Sequence, residues 1–107
     1  MSIKVYLDDI RPAPEGWVKV LWPDHVIALL KTGNVDEISL DHDLGNDLFG
    51  TGYDVLLWIE NEVVTNNFQP PIIRVHSANG PAYDKMTMAV LNIRKLASKS
   101  FEKNLGR

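Results

Sequence analysis

Short apolar runs rich in β-formers alternate along the chain with longer segments whose apolar positions recur every three to four residues. Residues 3–7, with Ile3, Val5 and Leu7, read as a strand cut short by Asp8-Asp9 and then by Pro12 and Pro14. Residues 17–21 alternate well enough for a second strand. Pro23-Asp24 suits the start of a helix with Val26, Leu29 and Leu30 on one side, and Gly33-Asn34 suits its end. Residues 37–40 form the next strand, again stopped by acids. Thr51-Gly52 opens a helix with Asp54 in its first turn and Val55, Ile59 and Val63 at i, i+4 and i+8, beside Leu56. Asn66-Asn67 and Pro70-Pro71 close it. Residues 72–76 are one more sheet-like run, and Asn79-Gly80-Pro81 leads into a last helix whose face is marked by Met86, Val90, Ile93 and Ala97. The polar tail from Ser98 is expected to fray.

Strands alternating with helices imply right-handed crossovers and a short, mostly parallel sheet of about four strands covered on both faces, an α/β three-layer αβα sandwich. The length, 107 residues, suits a single domain spanning residues 1–107 with one core. Eleven Lys and Arg against fourteen Asp and Glu leave a net charge of −3. That balance argues against bulk electrostatic binding of DNA, while leaving room for an enzyme acting on a nucleotide. The sequence has no Cys, which removes disulfides, thiolate nucleophiles and Cys-based metal sites and fits a reducing cytoplasm. No apolar run approaches the roughly 20 residues that span a bilayer, and the first residues read as a strand rather than a signal peptide. A cytoplasmic protein with no membrane partner is expected.

Three strands end in polar clusters: Asp8-Asp9, then Asp41-His42-Asp43, then His76-Ser77 with Asn79. In an open parallel sheet the carboxyl ends of neighbouring strands share one edge, where α/β folds bind their ligands. Carboxylates crowded there repel by on the order of 4 kcal/mol per close pair at an effective dielectric of about 20, and a divalent cation relieves this. Oxygen ligands suit Mg²⁺ or Mn²⁺, and added imidazole favours the latter or another transition metal. Each cluster has a structural reading as well. Asp8 and Asp9 suit a loop cap before Pro12, Asp41-His42-Asp43 before Leu44-Gly45 suits a turn, and a lone His76 suits a satisfied histidine. The conjunction of three polar endings on one edge favours a site. Arg11 is either an ion-pair partner of the Asp pair or a phosphate ligand, and Arg74 is read as a structural salt bridge. Trp17, Trp22 and Trp58 are read as packing, since no cluster of basic residues interleaves them in sequence. Residues 46–51 read as a mobile loop able to fold over the site.

Leu7-Asp8-Asp9-Ile10-Arg11-Pro12 with Gly16-Trp17, Ser39-Leu40-Asp41-His42-Asp43-Leu44-Gly45, Thr51-Gly52, and Val75-His76-Ser77-Ala78-Asn79 with Met86 together resemble the cyclic-phosphate-processing receiver domain family of bacteria and their phages. The resemblance spans residues 4–93. It implies a receiver-like, flavodoxin-like αβ fold that keeps an acidic metal site and adds histidines. One departure is the order Asn79-Gly80-Pro81, where the family pattern has Pro directly after the Asn. The same residues also resemble ordinary two-component receivers, with an acid pair after the first strand, a central Asp41 and a hydroxyl residue, Ser77. That class normally adds a Lys after a fifth strand, and no such strand or Lys is recognised here.

Two functions follow from these readings. The first is a metal-dependent phosphodiesterase or phosphohydrolase of cyclic phosphates, either nucleotides or RNA-end 2′,3′-cyclic phosphates. Asp8, Asp9, Asp41 and Asp43 would hold Mg²⁺ or Mn²⁺, His76 and His42 with Asp41 would be catalytic, and Ser77, Asn79 and Arg11 would bind phosphate. The second is a receiver-type signalling domain phosphorylated on Asp41, or a cyclic-nucleotide-binding module, without turnover.

Overall fold

Apolar residues two apart on each strand face the same way, and this alternation decides which side of the sheet is covered. In the computed structural model, which describes residues 2–44 and 50–105 (to residue 99 for side chains within α3), the elements run β1 (Ile3–Leu7), β2 (Val18–Val20), α1 (Pro23–Leu30), β3 (Val35–Leu40), α2 (Gly52–Asn66), β4 (Ile72–Val75) and α3 (Gly80–Leu105). The sheet is parallel throughout, with strand order β2-β1-β3-β4. β2 and β4 are slightly shorter than the sequence pattern suggests, and β3 starts earlier, at Val35. Leu44 is described, but most of the loop expected over residues 46–51 lies outside the described residues.

Val5 and Leu7 of β1, Ile38 and Leu40 of β3 and Ile73 of β4 point to one side, where they join Val26 and Leu30 of α1, Val55, Leu56, Ile59 and Val63 of α2, and Met86, Val90 and Ile93 of α3 in one buried core. Each such side chain contributes about 1.5–3 kcal/mol when fully removed from water. The chain moves in the same direction from β2 to β3 and from β3 to β4, so right-handed crossovers put α1 and α2 on the same face. α1 packs on α2, and α2 packs on α3. The receiver-like α/β arrangement is thus present, with its helices gathered on one side. Among the described residues the opposite face, bearing Lys4, Tyr6, Lys19, Glu37, Ser39 and Arg74, carries no helix. The cause is local: residues 8–17, with Pro12, Pro14 and Gly16, link β1 to β2 as a loop where a crossover helix would otherwise cover that face.

The helix ends follow the sequence signals. α1 begins with Pro23 in its first turn, and α2 is capped at Thr51: the Tyr53 N–H donates to Thr51 Oγ1 at 3.2 Å and the Thr51 N–H to Asp54 Oδ2 at 2.7 Å. Asn67, at φ 58°, ends α2 in the left-handed region. α3 runs on to Leu105 instead of fraying from Ser98, because nothing between Pro81 and Gly106 breaks a helix.

Gly52 is fixed by proximity. A Cβ there would lie 2.0 Å from the Asp41 carbonyl oxygen and 3.0 Å from Met86 Cε, so the start of α2 can approach the end of β3 only without a side chain. Gly52→Ala must push Asp41 and α2 apart. It is expected to cost about 1–3 kcal/mol, measured as a lowered Tm, and to shift the amide resonances of Asp41 and its neighbours. An unchanged Tm would refute the contact.

Candidate active site

The parallel ladder continues one residue beyond each strand. The Asp8 N–H donates to the Val20 carbonyl at 3.2 Å, the Asp41 N–H to Leu7 at 3.1 Å and the His76 N–H to Leu40 at 3.0 Å. Because the register pairs Leu7 with Leu40 and Leu40 with Val75, the next residues on the three strands, Asp8, Asp41 and His76, stand abreast. Alternation sends their side chains to the helix-free face, in line with Tyr6, Ser39 and Arg74. One ligand atom from each of Asp8, Asp41 and His76 lies within 4.8 Å of the others, a grouping that could hold a metal ion.

Asp8 is buried, 1% exposed, and every bond it makes favours its charged form. Its Oδ1 accepts from the N–H groups of Ile10 and Arg11 at 2.8 and 2.9 Å, the loop-capping role that the sequence offered as an alternative. Its Oδ2 faces His76 Nε2 at 3.1 Å and Arg11 Nη1 at 3.5 Å. The other imidazole nitrogen, Nδ1, lies 2.7 Å from the Ser39 hydroxyl, and the Tyr6 ring stacks on the imidazole at 4.3 Å and 4°. A carboxylate facing Nε2 requires a proton there, which leaves Nδ1 of the neutral ring to accept from Ser39. Carboxylate, imidazole and hydroxyl thus form one chain on the open face.

The two buried acids differ in charge preference. Burial alone would raise the Asp8 carboxyl, but the N–H groups of Arg11 and Ile10 and the His76 imidazole outweigh it and hold the pKa below the usual carboxylate value. Asp41 is pushed upward, first by burial and then by the neighbouring Asp8 charge, against the His42 N–H that bonds it at 2.9 Å. It lines a cleft of about 220 Å³ together with Ile10, Arg11, Asp43 and Ala78.

The remaining candidates surround this row. His42 Nδ1 lies 2.8 Å from Asp43 Oδ1, a hydrogen bond that holds the exposed Asp43 carboxyl below its ordinary value against a small effect of burial. Asp9 and Asp43 are not in the close group with Asp8, Asp41 and His76, yet Asp9 Oδ1 is buried and, among the described residues, has no hydrogen-bond partner. Arg11 Nη1 donates to the His76 carbonyl at 2.8 Å, bracing the end of β4. Asn79 caps α3, its Oδ1 accepting from the Ala82 N–H at 3.1 Å, with Nδ2 at 3.5 Å from Asp43 Oδ2, and Ser77 Oγ accepts from the Asn79 N–H at 3.2 Å. Arg74 pairs with Glu37, as the sequence reading had it. Sequence reasoning passed over Ser39 and Tyr6. Both stand two residues before a site acid, so strand alternation was the signal that places them on the site's face.

A family model described as the cyclic-phosphate processing receiver domain matches residues 3–92. No curated protein and no solved structure matches the chain.

The opposed carboxyls predict substitutions of opposite sign in metal-free protein. Asp8→Asn puts an amide donor against His76 and is expected to cost about 2 kcal/mol, lowering Tm by about 10 °C. Asp41→Asn relieves repulsion and is expected to raise Tm by a few degrees at pH 7. Asp8, with its pKa depressed, contributes stability at neutral pH that is lost as pH falls through its folded pKa. Asp41, with its pKa raised, favours the fold only below the unfolded carboxylate value of about 3.9, and that contribution is lost as pH rises through its folded pKa. The gain from Asp41→Asn should therefore vanish on acidification, and thermal melts from pH 7 to pH 3 check both signs.

Proposed function

The chain belongs to the cyclic-phosphate-processing receiver domain family, and on that premise we propose that it is a metal-dependent phosphodiesterase acting on cyclic phosphates, a cyclic nucleotide or the 2′,3′-cyclic phosphate of an RNA end. The supporting observation is the row of Asp8, Asp41 and His76 beside a cleft that Arg11 and Asp43 also line. Two carboxylates and an imidazole within reach of one point fit Mg²⁺ or Mn²⁺, and the orphaned Oδ1 of Asp9 is an atom that a cation or its water would satisfy. When bound, such a cation polarises a phosphoryl oxygen and acidifies a water.

The protein's own groups supply the rest. Hydrolysis forms a bond from a water oxygen to phosphorus, breaks one ring P–O bond and leaves a phosphate monoester with a free ribose hydroxyl. His42, oriented by Asp43 at Nδ1, takes the water proton at Nε2 and returns it to the departing ribose oxygen. Arg11 and the Ser77 hydroxyl, whose proton is not used by its bond from Asn79, bind the phosphate oxygens, and Asn79 offers its Nδ2. For His76 to lend Nε2 to a cation its proton must move to Nδ1. The Ser39 hydroxyl, able to donate or accept, keeps Nδ1 satisfied either way.

The alternative places Asp41, at the end of the central strand, as a phosphoacceptor without turnover. A panel of cyclic phosphates with Mg²⁺ or Mn²⁺, run beside uptake of phosphate from acetyl phosphate, separates the two. We expect hydrolysis by the parent, reduced about 10²–10⁴-fold in kcat by His42→Ala with metal affinity retained. His76→Ala and Asp41→Asn should instead lose the metal-induced rise in Tm together with activity. Phosphorylation on Asp41 with no hydrolysis in the parent would overturn the enzyme reading.

A further inference from the structure

On the assumption that the site opens cyclic phosphates, we propose that the helix-free face of the sheet is the track for a single-stranded polynucleotide, so that the substrate is the end of an RNA chain and not a free cyclic nucleotide. The face is continuous with the site. One row behind Asp8, Asp41 and His76 stand Lys19, Tyr6, Ser39 and Arg74, since Tyr6 pairs with Lys19 and with Ser39, and Ser39 with Arg74. The next row back holds Lys4 opposite Glu37.

Two features of these rows select the occupant. The first is charge. Lys4 and Lys19 are exposed, while Glu37, the acid in these rows, is buried and neutralised by Arg74, so the two rows behind the site's carboxylates are cationic on a chain whose net charge is −3. Within the strands the spacing along β1 from Asp8 through Tyr6 to Lys4 is about 6.6 Å per step, which sets Lys4 in line behind the site, with Lys19 on the neighbouring strand beside Tyr6. The second is aromatic surface. Trp17 meets Tyr6 edge-on at 6.2 Å, Tyr6 stacks on His76, and the Lys4 ammonium lies 5.7 Å from the Trp17 ring. The fold therefore sets Trp17 beside Lys4, which is far from it in sequence, and edge-on to Tyr6, so Trp17 has a place on the charged face as well as a packing role. Cations that follow a backbone beside rings that stack bases are what single strands require, and a sheet surface is a common place for both. A mononucleotide held in the cleft would leave both rows unused.

The test uses a 3′-phosphorylated RNA 12-mer for binding by fluorescence anisotropy, and the matching 2′,3′-cyclic-phosphate 12-mer and cyclic mononucleotide for turnover. The parent should favour the 12-mer in kcat/KM by at least about tenfold, the scale of one stacked base or a few phosphate contacts. Lys4→Glu with Lys19→Glu should abolish that preference and lower the slope of log K against log salt by about 1.4, leaving mononucleotide turnover unchanged. Trp17→Ala should weaken RNA binding without changing the salt slope; the two exposed lysines decide the outcome if Trp17→Ala misfolds. Equal turnover of the 12-mer and mononucleotide, unaffected by the lysine changes, overturns the track and leaves the hydrolase standing. Lysine-dependent RNA binding with no hydrolysis of either substrate overturns the hydrolase and upholds the track. A self-association that the lysine changes abolish, with no RNA bound, assigns the face to a second copy and overturns the proposal.

Discussion

Parallel pairing in register is the constraint on which the site depends. The main-chain bonds from Asp8 to Val20, Asp41 to Leu7 and His76 to Leu40 place three chemically active residues from distant parts of the sequence in one row. A slip of one residue in β3 or β4 would turn Asp41 or His76 to the helix side and bring Leu40 or Val75 out in its place. The core resists that slip, because Leu7, Ile38 and Leu40 are all fully buried against α2 and α3. Core packing and site geometry are therefore one specification, made by the same alternation on opposite faces of the same strands.

Much of this was legible in the sequence. The strands β1 and β3 ended where the acids said they would, and Thr51-Gly52 marked a helix start that the structure shows as a cap and as a close approach to the Asp41 carbonyl. Two things were not legible. Whether a sheet has helices on one face or both depends on the crossover between β1 and β2, and the residues there, Pro12, Pro14 and Gly16, say only that the segment is not helical. Nor does sequence reveal which nitrogen of His76 meets which partner. Ser39 looked like an ordinary polar position in a strand, and it matters because the register sets it beside the end of β4. Trp17 is the same lesson: its neighbours Lys4 and Tyr6 come from a different strand.

The acids at the row are not equivalent, and the difference has a local origin. Asp8 sits where the chain turns sharply after β1, so two backbone N–H groups converge on one of its oxygens while the other meets His76 and Arg11. Asp41 sits at the end of the central strand with, among the described residues, one backbone donor and the Asp8 charge beside it. Among the described residues one carboxylate is satisfied by the fold and the other has fewer partners. A site that must receive positive charge benefits from that division, since the satisfied acid fixes the geometry and the unsatisfied one supplies the attraction.

The one-sided placement of the helices bears on the size of what can reach the site. A second helical layer over β1 and β3 would wall in Tyr6 and His76 and limit the site to ligands that enter from the strand ends. Here the Tyr6 ring, Ser39 and Asp8, all on the sheet itself, contact the imidazole. Among the described residues no helix closes the way along the strands, and the sheet beneath keeps the row aligned. The loop that stands in place of a crossover helix contributes twice: among the described residues it leaves the face without a helix, and through Arg11 and the N–H groups that hold Asp8 it braces the row.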